Sequence, residues 1–137
     1  MKPNLAQYQV QDWETFRMQW EKIGRIFNPL NYDREDALIS HASNPTVLKL
    51  RNELVRVFYS GRDKNNRSSV GAFDFNMKTL TVEKVFTKSL FRAEKNKSFF
   101  RDGVSVSTVI KIKSVNYLYF MGWQNPKKEH WRGDIGR

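Results

Sequence analysis

An all-β chain built from a repeated small antiparallel sheet is what this sequence predicts, on three observations. Apolar and polar residues alternate along "VSVSTVIKI" (residues 104–112), the period of a half-buried strand. "LVRVFY" and "YLYFM" are dense in β-branched and aromatic residues, as strands covered on both faces require. Finally, "TVLKLRNELVRVFYSG" has a blurred second copy in "TVIKIKSVNYLYFMGW", and internal repetition takes precedence over the assignment of single elements.

Taken in chain order, the first candidate element is "DWETFRMQWEKI". It spaces Trp13, Phe16, Trp20 and Ile23 as a helix would, with Asp12 as N-cap and Gly24 as stop; the same aromatics would equally serve to plug the open face of the first sheet. "RIFNPLNYDREDALISHASNP" follows as a long connection with two Asn-Pro turns. The first sheet then gathers "LVRVFY", "SVGAFDF" and "LTVEKVF" behind its first copy of the repeat, with "NMKT" turning between the last two. In the second copy Thr46 matches Thr108, Val47 Val109, Lys49 Lys111, Val57 Tyr119 and Phe58 Phe120, at an offset of 62. "RSSVG" (67–71) matches "RGDIG" (132–136) at an offset of 65. The expected organisation is one incomplete domain: residues 1–40 as N-terminal segment and connection, 41–87 as a full four-stranded unit, and 99–137 as a second unit that reaches only the start of its third strand.

Composition bounds the chemistry. A chain of 137 residues with 39% hydrophobic and 14% aromatic residues can bury a core, and its length suits one domain. The absence of cysteine excludes disulfides and thiol nucleophiles, and two histidines, His41 and His130, leave little for a metal centre. Neither metal nor cofactor is expected. No apolar run approaches the roughly 18 to 20 residues that span a bilayer, so a soluble, cytoplasmic protein without a membrane partner is predicted. The net charge of +10, densest over Lys84, Lys88, Arg92, Lys95, Lys97 and Arg101, favours an anionic partner or forms a solvated basic surface.

Four-stranded sheets recurring at this period are the mark of a β-propeller. "WEKIGRIFNP", "SHASNPTVL", "VRVFYSGRDKNNRSSVGAFDF", "DGVSVSTVI" and "YLYFMGW" together resemble, nearly end to end, the first half of the five-bladed propeller glycosidase-like proteins found with bacterial surface-polysaccharide genes. These are distant relatives of the invertase, levansucrase and arabinanase families. The resemblance implies a partial propeller, one full blade plus most of a second, and a carbohydrate-binding or glycoside-hydrolase-like function. Five such blades need roughly 310 residues, so the chain is expected to be a fragment, a truncated product or a protein that completes its sheets by association.

In those families, the resemblance further implies, a first-blade carboxylate acts as nucleophile or base. An Asp in an Arg-Asp-Pro-like motif stabilises the transition state, and a later Glu is the general acid, the division of labour that glycoside cleavage requires. Here Asn44 stands at the first-blade position, and an amide is neither nucleophile nor base. Arg101 and Asp102 of "FFRDGVSV" occupy the second motif, with spacing one residue short, which makes Asp102 the single catalytic candidate. The acid is not seen, so hydrolysis by this chain alone is not expected.

The remaining candidates come from the residues themselves. In "SGRDKNNRSS", Arg62 and Asp63 suit a sugar or sugar phosphate, because guanidinium forks and carboxylates match hydroxyls and phosphates. Gly61, Asp63, Asn65 and Asn66 are also turn formers. Arg67 and Arg132 recur in both copies and are expected to brace them. His41 is read as a sugar contact or a packing histidine, and Trp123 as a platform for a sugar ring or as packing. The predicted partners are a glycan or sugar phosphate and, through an unpaired sheet edge, a second copy. The alternative is a small basic β-domain that binds nucleic acid, its aromatics stacking on bases.

Overall fold

The computed structural model describes residues 21–94 and 98–137. The aromatic stretch Trp13 to Trp20 and the lysines Lys95 and Lys97 lie outside the described residues.

The chain is all-β. Among the described residues, two short 3-10 turns, Pro29–Asn31 and Asp36–Leu38, lead into seven strands: β1 (Ser40–Arg51), β2 (Leu54–Arg62), β3 (Ser68–Asn76), β4 (Thr81–Val85), β5 (Gly103–Ile112), β6 (Val115–Gln124) and β7 (Arg132–Gly136). They form one open sheet in the order β1-β2-β3-β5-β6-β7, with β4 also paired to β3. Every pairing is antiparallel except β3 with β5, which is parallel and consists of one residue pair, Ser68 with Gly103. The sheet is therefore two antiparallel groups, β1–β4 and β5–β7, joined at a single backbone contact.

Side-chain alternation explains how each group is covered. Along β2, Val55, Val57 and Tyr59 point to one face, where they meet Phe73 and Phe75 of β3 and the incoming Phe27 and Leu38. Phe58 points the other way, into a cluster of Val70, Val104, Val106 and Phe120 walled by Phe91, Phe99 and Phe100. β3 is buried along nearly its whole length, since it feeds both clusters. Its one buried charge, Asp74, lies opposite Arg56 and accepts a two-pronged bond from it, Nε to Oδ1 at 2.8 Å and Nη2 to Oδ2 at 3.1 Å. Such a fork satisfies both carboxylate oxygens at once. The "NMKT" turn closes on Asn76, whose Oδ1 accepts from the Lys78 and Thr79 amides at 3.0 and 3.1 Å.

Three details depart from the sequence reading. β1 begins at Ser40, so Pro45 of the second Asn-Pro pair lies inside a strand. It is accommodated because β1 is an edge strand with irregular register between Ser40 and Ser43 and between Ser43 and Thr46. The alternating face of "VSVSTVIKI" is broken by an irregularity between Val106 and Thr108. Val104 and Val106 are buried, whereas Ile110 and Ile112 are exposed, as a shift of one residue demands. The repeat is also not of constant length. Thr46 opposes Phe58 but Thr108 opposes Tyr119, and the hairpins close at Arg51–Leu54 and Ile112–Val115. The offset thus falls from 62 to 61 past the bulge between Lys49 and Arg51, and Phe120 takes the place of Tyr59 rather than of Phe58.

Serine hydroxyls pin the two groups together. Ser60 Oγ accepts from the Val106 amide at 3.0 Å, and Ser68 Oγ accepts from the Trp123 indole Nε1 at 3.0 Å. The indole lies where any side chain on Gly103 would have to sit. Ser60→Ala leaves the buried Val106 amide without its partner, and a loss of about 1–3 kcal/mol in urea unfolding is expected; Gly103→Ala, which displaces the Trp123 ring, is expected to cost about as much.

Candidate functional site

The register carries a continuous row of paired backbone across one end of the sheet. Ser40 opposes Arg62, Arg62 opposes Ser68, Ser68 pairs with Gly103, and Gly103 opposes Trp123. One residue beyond the row lie Ile39, Asp63, Arg67 and Asp102, and His41 follows Ser40 one residue inside it. The fold thus brings His41, Arg62, Asp63, Arg101, Asp102 and Trp123 to the same strand ends, although they come from four separate stretches of sequence. Asn44 sits further along β1, at the junction with β5.

The β2–β3 turn is organised around Asp63. Its Oδ1 accepts from the Asn65 and Arg67 amides at 2.8 and 2.9 Å, and its Oδ2 meets Arg67 Nε at 2.8 Å and Nη2 at 2.7 Å. Partial burial pushes this carboxyl up, but the hydrogen bonds from Arg67 and Asn65 and the charge of Arg67 outweigh it and hold Asp63 below its ordinary 3.8. Asn66 takes the left-handed conformation at φ 63°, which Asn tolerates, and its Oδ1 accepts from Arg62 Nη1 at 2.6 Å. Arg67 therefore braces the turn through Asp63, and Arg132 makes the corresponding bond to Glu129 before β7.

Asp102, at the head of β5, is tied in a similar way. Its Oδ2 accepts from Arg101 Nε at 3.1 Å and from the Asn125 amide at 2.7 Å, closing the loop after β6. Trp123 is half-buried and commits its Nε1 to Ser68. His41 and Asn44 both hold left-handed backbone, at φ 64° and 50°, in the irregular part of β1. Non-glycine residues in that region store energy and concentrate at functional sites. His41 Nδ1 is 2.9 Å from Ser40 Oγ, and His41 lines a groove of about 270 Å³ with Arg25, Phe27, Asn28 and Leu30. Asn44 is exposed, and its Nδ2 reaches Ser105 Oγ at 3.5 Å.

A second feature at these strand ends had no sequence signal, because it is made by residues far apart in the chain. Glu35 receives the Ser89 amide on Oε1 and Arg92 Nη2 on Oε2 at 2.5 Å, while its own amide donates to the Thr87 carbonyl at 3.0 Å. Beside this clasp, Asp36, Asp63, Lys64, Asn65, Arg67 and Arg92 line a cleft of about 310 Å³. Of the basic cluster read from the sequence, Arg92 and Arg101 are thus paired with carboxylates, while Lys84 and Lys88 are exposed. Among the described residues no group of three His, Cys, Asp or Glu is placed to hold a metal ion, and no helix is long and apolar enough to cross a membrane.

Over 126 residues the chain is 30% identical to Uncharacterized protein MT1551 of Mycobacterium tuberculosis strain CDC 1551 / Oshkosh. The figures are the same for Uncharacterized protein Rv1502 of strain ATCC 25618 / H37Rv. The match takes in 87% of this chain but 40% of each relative, so the chain spans about two fifths of the length of the curated relatives it matches. No family model matches the chain, and no solved structure matches it significantly.

Burial pushes the Glu35 carboxyl up, and the Ser89 and Arg92 hydrogen bonds more than offset it, leaving the group at about 2 against an ordinary 4.5. A carboxyl lowered in the folded state stabilises above its unfolded value and loses that contribution as pH falls. Stability is therefore expected to decline as pH drops from about 4.5 towards about 2, and Glu35→Gln is expected to flatten that part of the profile in pH-dependent thermal melts.

Proposed function

We propose that this chain is part of a propeller-type carbohydrate-binding module related to the glycoside hydrolases, and that its glycan-facing surface is the strand-end rim. The observation that carries this reading is the gathering of His41, Arg62, Asp63, Arg101, Asp102 and Trp123 on, or within two residues of, one row of paired backbone across the sheet. Asn44, at the first-blade position of the resemblance, is set at the β1–β5 junction beside Ser105. That is where two neighbouring blades would face a common ligand.

Binding rather than hydrolysis is the role the chemistry favours. Cleavage of a glycosidic bond requires a proton donor and a second carboxylate across the sugar ring. Asp63 instead spends both oxygens, and Asp102 its Oδ2, on backbone amides and arginines of adjoining turns, and the Asn44 amide is neither an acid nor a base. The rim's mixture of donors and acceptors also discriminates between ligands. In the cleft, Lys64, Arg67 and Arg92 are balanced by Asp36 and Asp63, with Glu35 on Arg92. This suits a hydroxyl-rich ring better than a polyphosphate, which calls for cations in excess.

The nucleic-acid reading keeps one supporting observation, the net charge of +10, and salt separates the two. Calorimetric titration with a neutral oligosaccharide is expected to show weak binding that barely changes with ionic strength. RNA binding is expected to vanish towards about 200 mM salt. Arg62→Ala and Asn44→Gly, the latter chosen because Asn44 holds left-handed backbone that glycine accepts, are each expected to weaken glycan binding by roughly 3- to 10-fold, the worth of a hydrogen bond or two, with no release of aryl glycoside chromophore. Sequence-selective RNA binding that persists at physiological salt would overturn the proposal.

A further inference from the structure

Ser69 is buried without a bond for its hydroxyl. It is 4% exposed and lines the cleft of about 310 Å³ beside the Glu35 clasp, yet its side chain has no hydrogen-bond partner among the described residues. Its neighbour Ser68 turns to the other face of β3 to take the Trp123 indole, so strand alternation directs Ser69 to the face covered by the 3-10 turn Asp36–Leu38. Leu38 seals that face at Gly61, the residue opposite Ser69: its Cδ2 lies 2.8 Å from where a side chain on Gly61 would begin. A polar group buried without a partner is uncommon and calls for an explanation.

The acids around the cleft are mostly committed. Asp63 accepts on both oxygens, and so does Glu35. Asp36 differs: it is exposed, lines the cleft and makes no ion pair or side-chain hydrogen bond among the described residues. Donors are in surplus. Arg67 binds Asp63 through Nε and Nη2, and Arg92 binds Ser89 and Glu35 through the same two atoms. That leaves Nη1 of each without a partner among the described residues. Ala37 and Ala93 add a small apolar wall. Because Glu35 directly precedes Asp36 and is bonded to Ser89 and Arg92, the 3-10 turn and the segment ending at Ala93 are held together before any ligand arrives.

We propose that this cleft receives the acetamido group of an N-acetylated sugar. The inference rests on the glycan reading above and names the substituent that is recognised. A trans secondary amide presents its C=O and N–H in opposite directions, so one group can bridge donors and an acceptor drawn from different elements. The carbonyl accepts from Ser69 Oγ and Arg67 Nη1, the N–H donates to Asp36, and the methyl lies against Ala37 and Ala93. Other sugar substituents satisfy less of the cleft. A free amine brings no acceptor for Ser69, a carboxylate sets like charge beside Asp36, and a plain hydroxyl leaves the alanine wall uncovered.

Amide-resolved NMR titration of the 137-residue chain compares N-acetylglucosamine and N-acetylgalactosamine with glucose, galactose, glucosamine and glucuronic acid. The acetamido sugars are expected to bind about tenfold more tightly than their parent hexoses, as two added hydrogen bonds allow, and to move the amide signals of Ala37, Ser69 and Ala93. Ser69→Ala removes only an unbonded hydroxyl and Asp36→Ala an exposed side chain, so both are expected to keep the native melting temperature. Each is expected to lower acetamido-sugar affinity by roughly 3- to 10-fold and to leave hexose affinity unchanged. Equal affinity for acetamido sugars and hexoses, tighter binding of glucuronic acid, signal changes away from the cleft, or a preference that survives both substitutions would overturn the inference while the glycan reading stands. Binding of none of these sugars would overturn both.

Discussion

The junction between β3 and β5 is the constraint on which the rest of the structure depends. One parallel backbone pair, Ser68 with Gly103, joins two groups whose other strand pairings all lie within one group or the other. A single pair is too little to hold two sheets in register, and the chain reinforces it in two ways. Buried hydroxyls of Ser60 and Ser68 take up the Val106 amide and the Trp123 indole. Serine suits this role because its short side chain brings a polar atom into an apolar interior and leaves it satisfied there. Around these pins the phenylalanines pack at their edges and faces: Phe91 meets Phe120 edge-on at 4.6 Å between ring centres, and Phe99 stacks on it at 5.8 Å. Offset and edge-to-face geometries of this kind add to simple area burial.

The candidate surface follows from that junction. With Ser68 and Gly103 in register, the end of β2, the turn before β3, the head of β5 and the end of β6 are level, and the polar residues they carry share one rim. The same residues show how structural and functional demands divide. Asp63 is taken up by its turn through both carboxylate oxygens, and Asp102 is held through Oδ2 by Arg101 and the Asn125 amide. Arg62, Asn44 and His41 stay at the surface, and the last two hold left-handed backbone that only the irregular β1 accommodates. Under the proposed function, these fixed donors and acceptors would serve to recognise a glycan.

Much of the architecture was legible because it is periodic. "SVGAFDF" falls within β3, "LTVEKVF" brackets β4, and the "NMKT" turn closes on Asn76 as turn chemistry requires. Where legibility ended, a single inserted residue was responsible. The bulges in β1 and β5 change which side of the strand each residue faces, so Ile110 and Ile112 are exposed and the matched pair Phe58 and Phe120 are not equivalent in space. Sequence alternation carries no mark of a bulge. The candidate residues were chosen by residue type and resemblance, and Asp63 illustrates the limit of that choice: its potential as a ligand group and as a turn former look identical in sequence, and only the bonds to Asn65 and Arg67 show the second use. The Glu35 clasp left no trace at all, because Ser89 and Arg92 approach it only through the fold.

The claim that both strand groups form one unit through the junction is tested most directly by amide hydrogen exchange at Val106, whose N–H is held by the Ser60 hydroxyl of the other group. The account predicts protection comparable to that of Val70 and Ala72 in the middle of β3, with all three exchanging through the same global opening. Rapid exchange at Val106 while Val70 and Ala72 remain protected would contradict it, because the two groups would then open independently and the shared rim would not persist in solution.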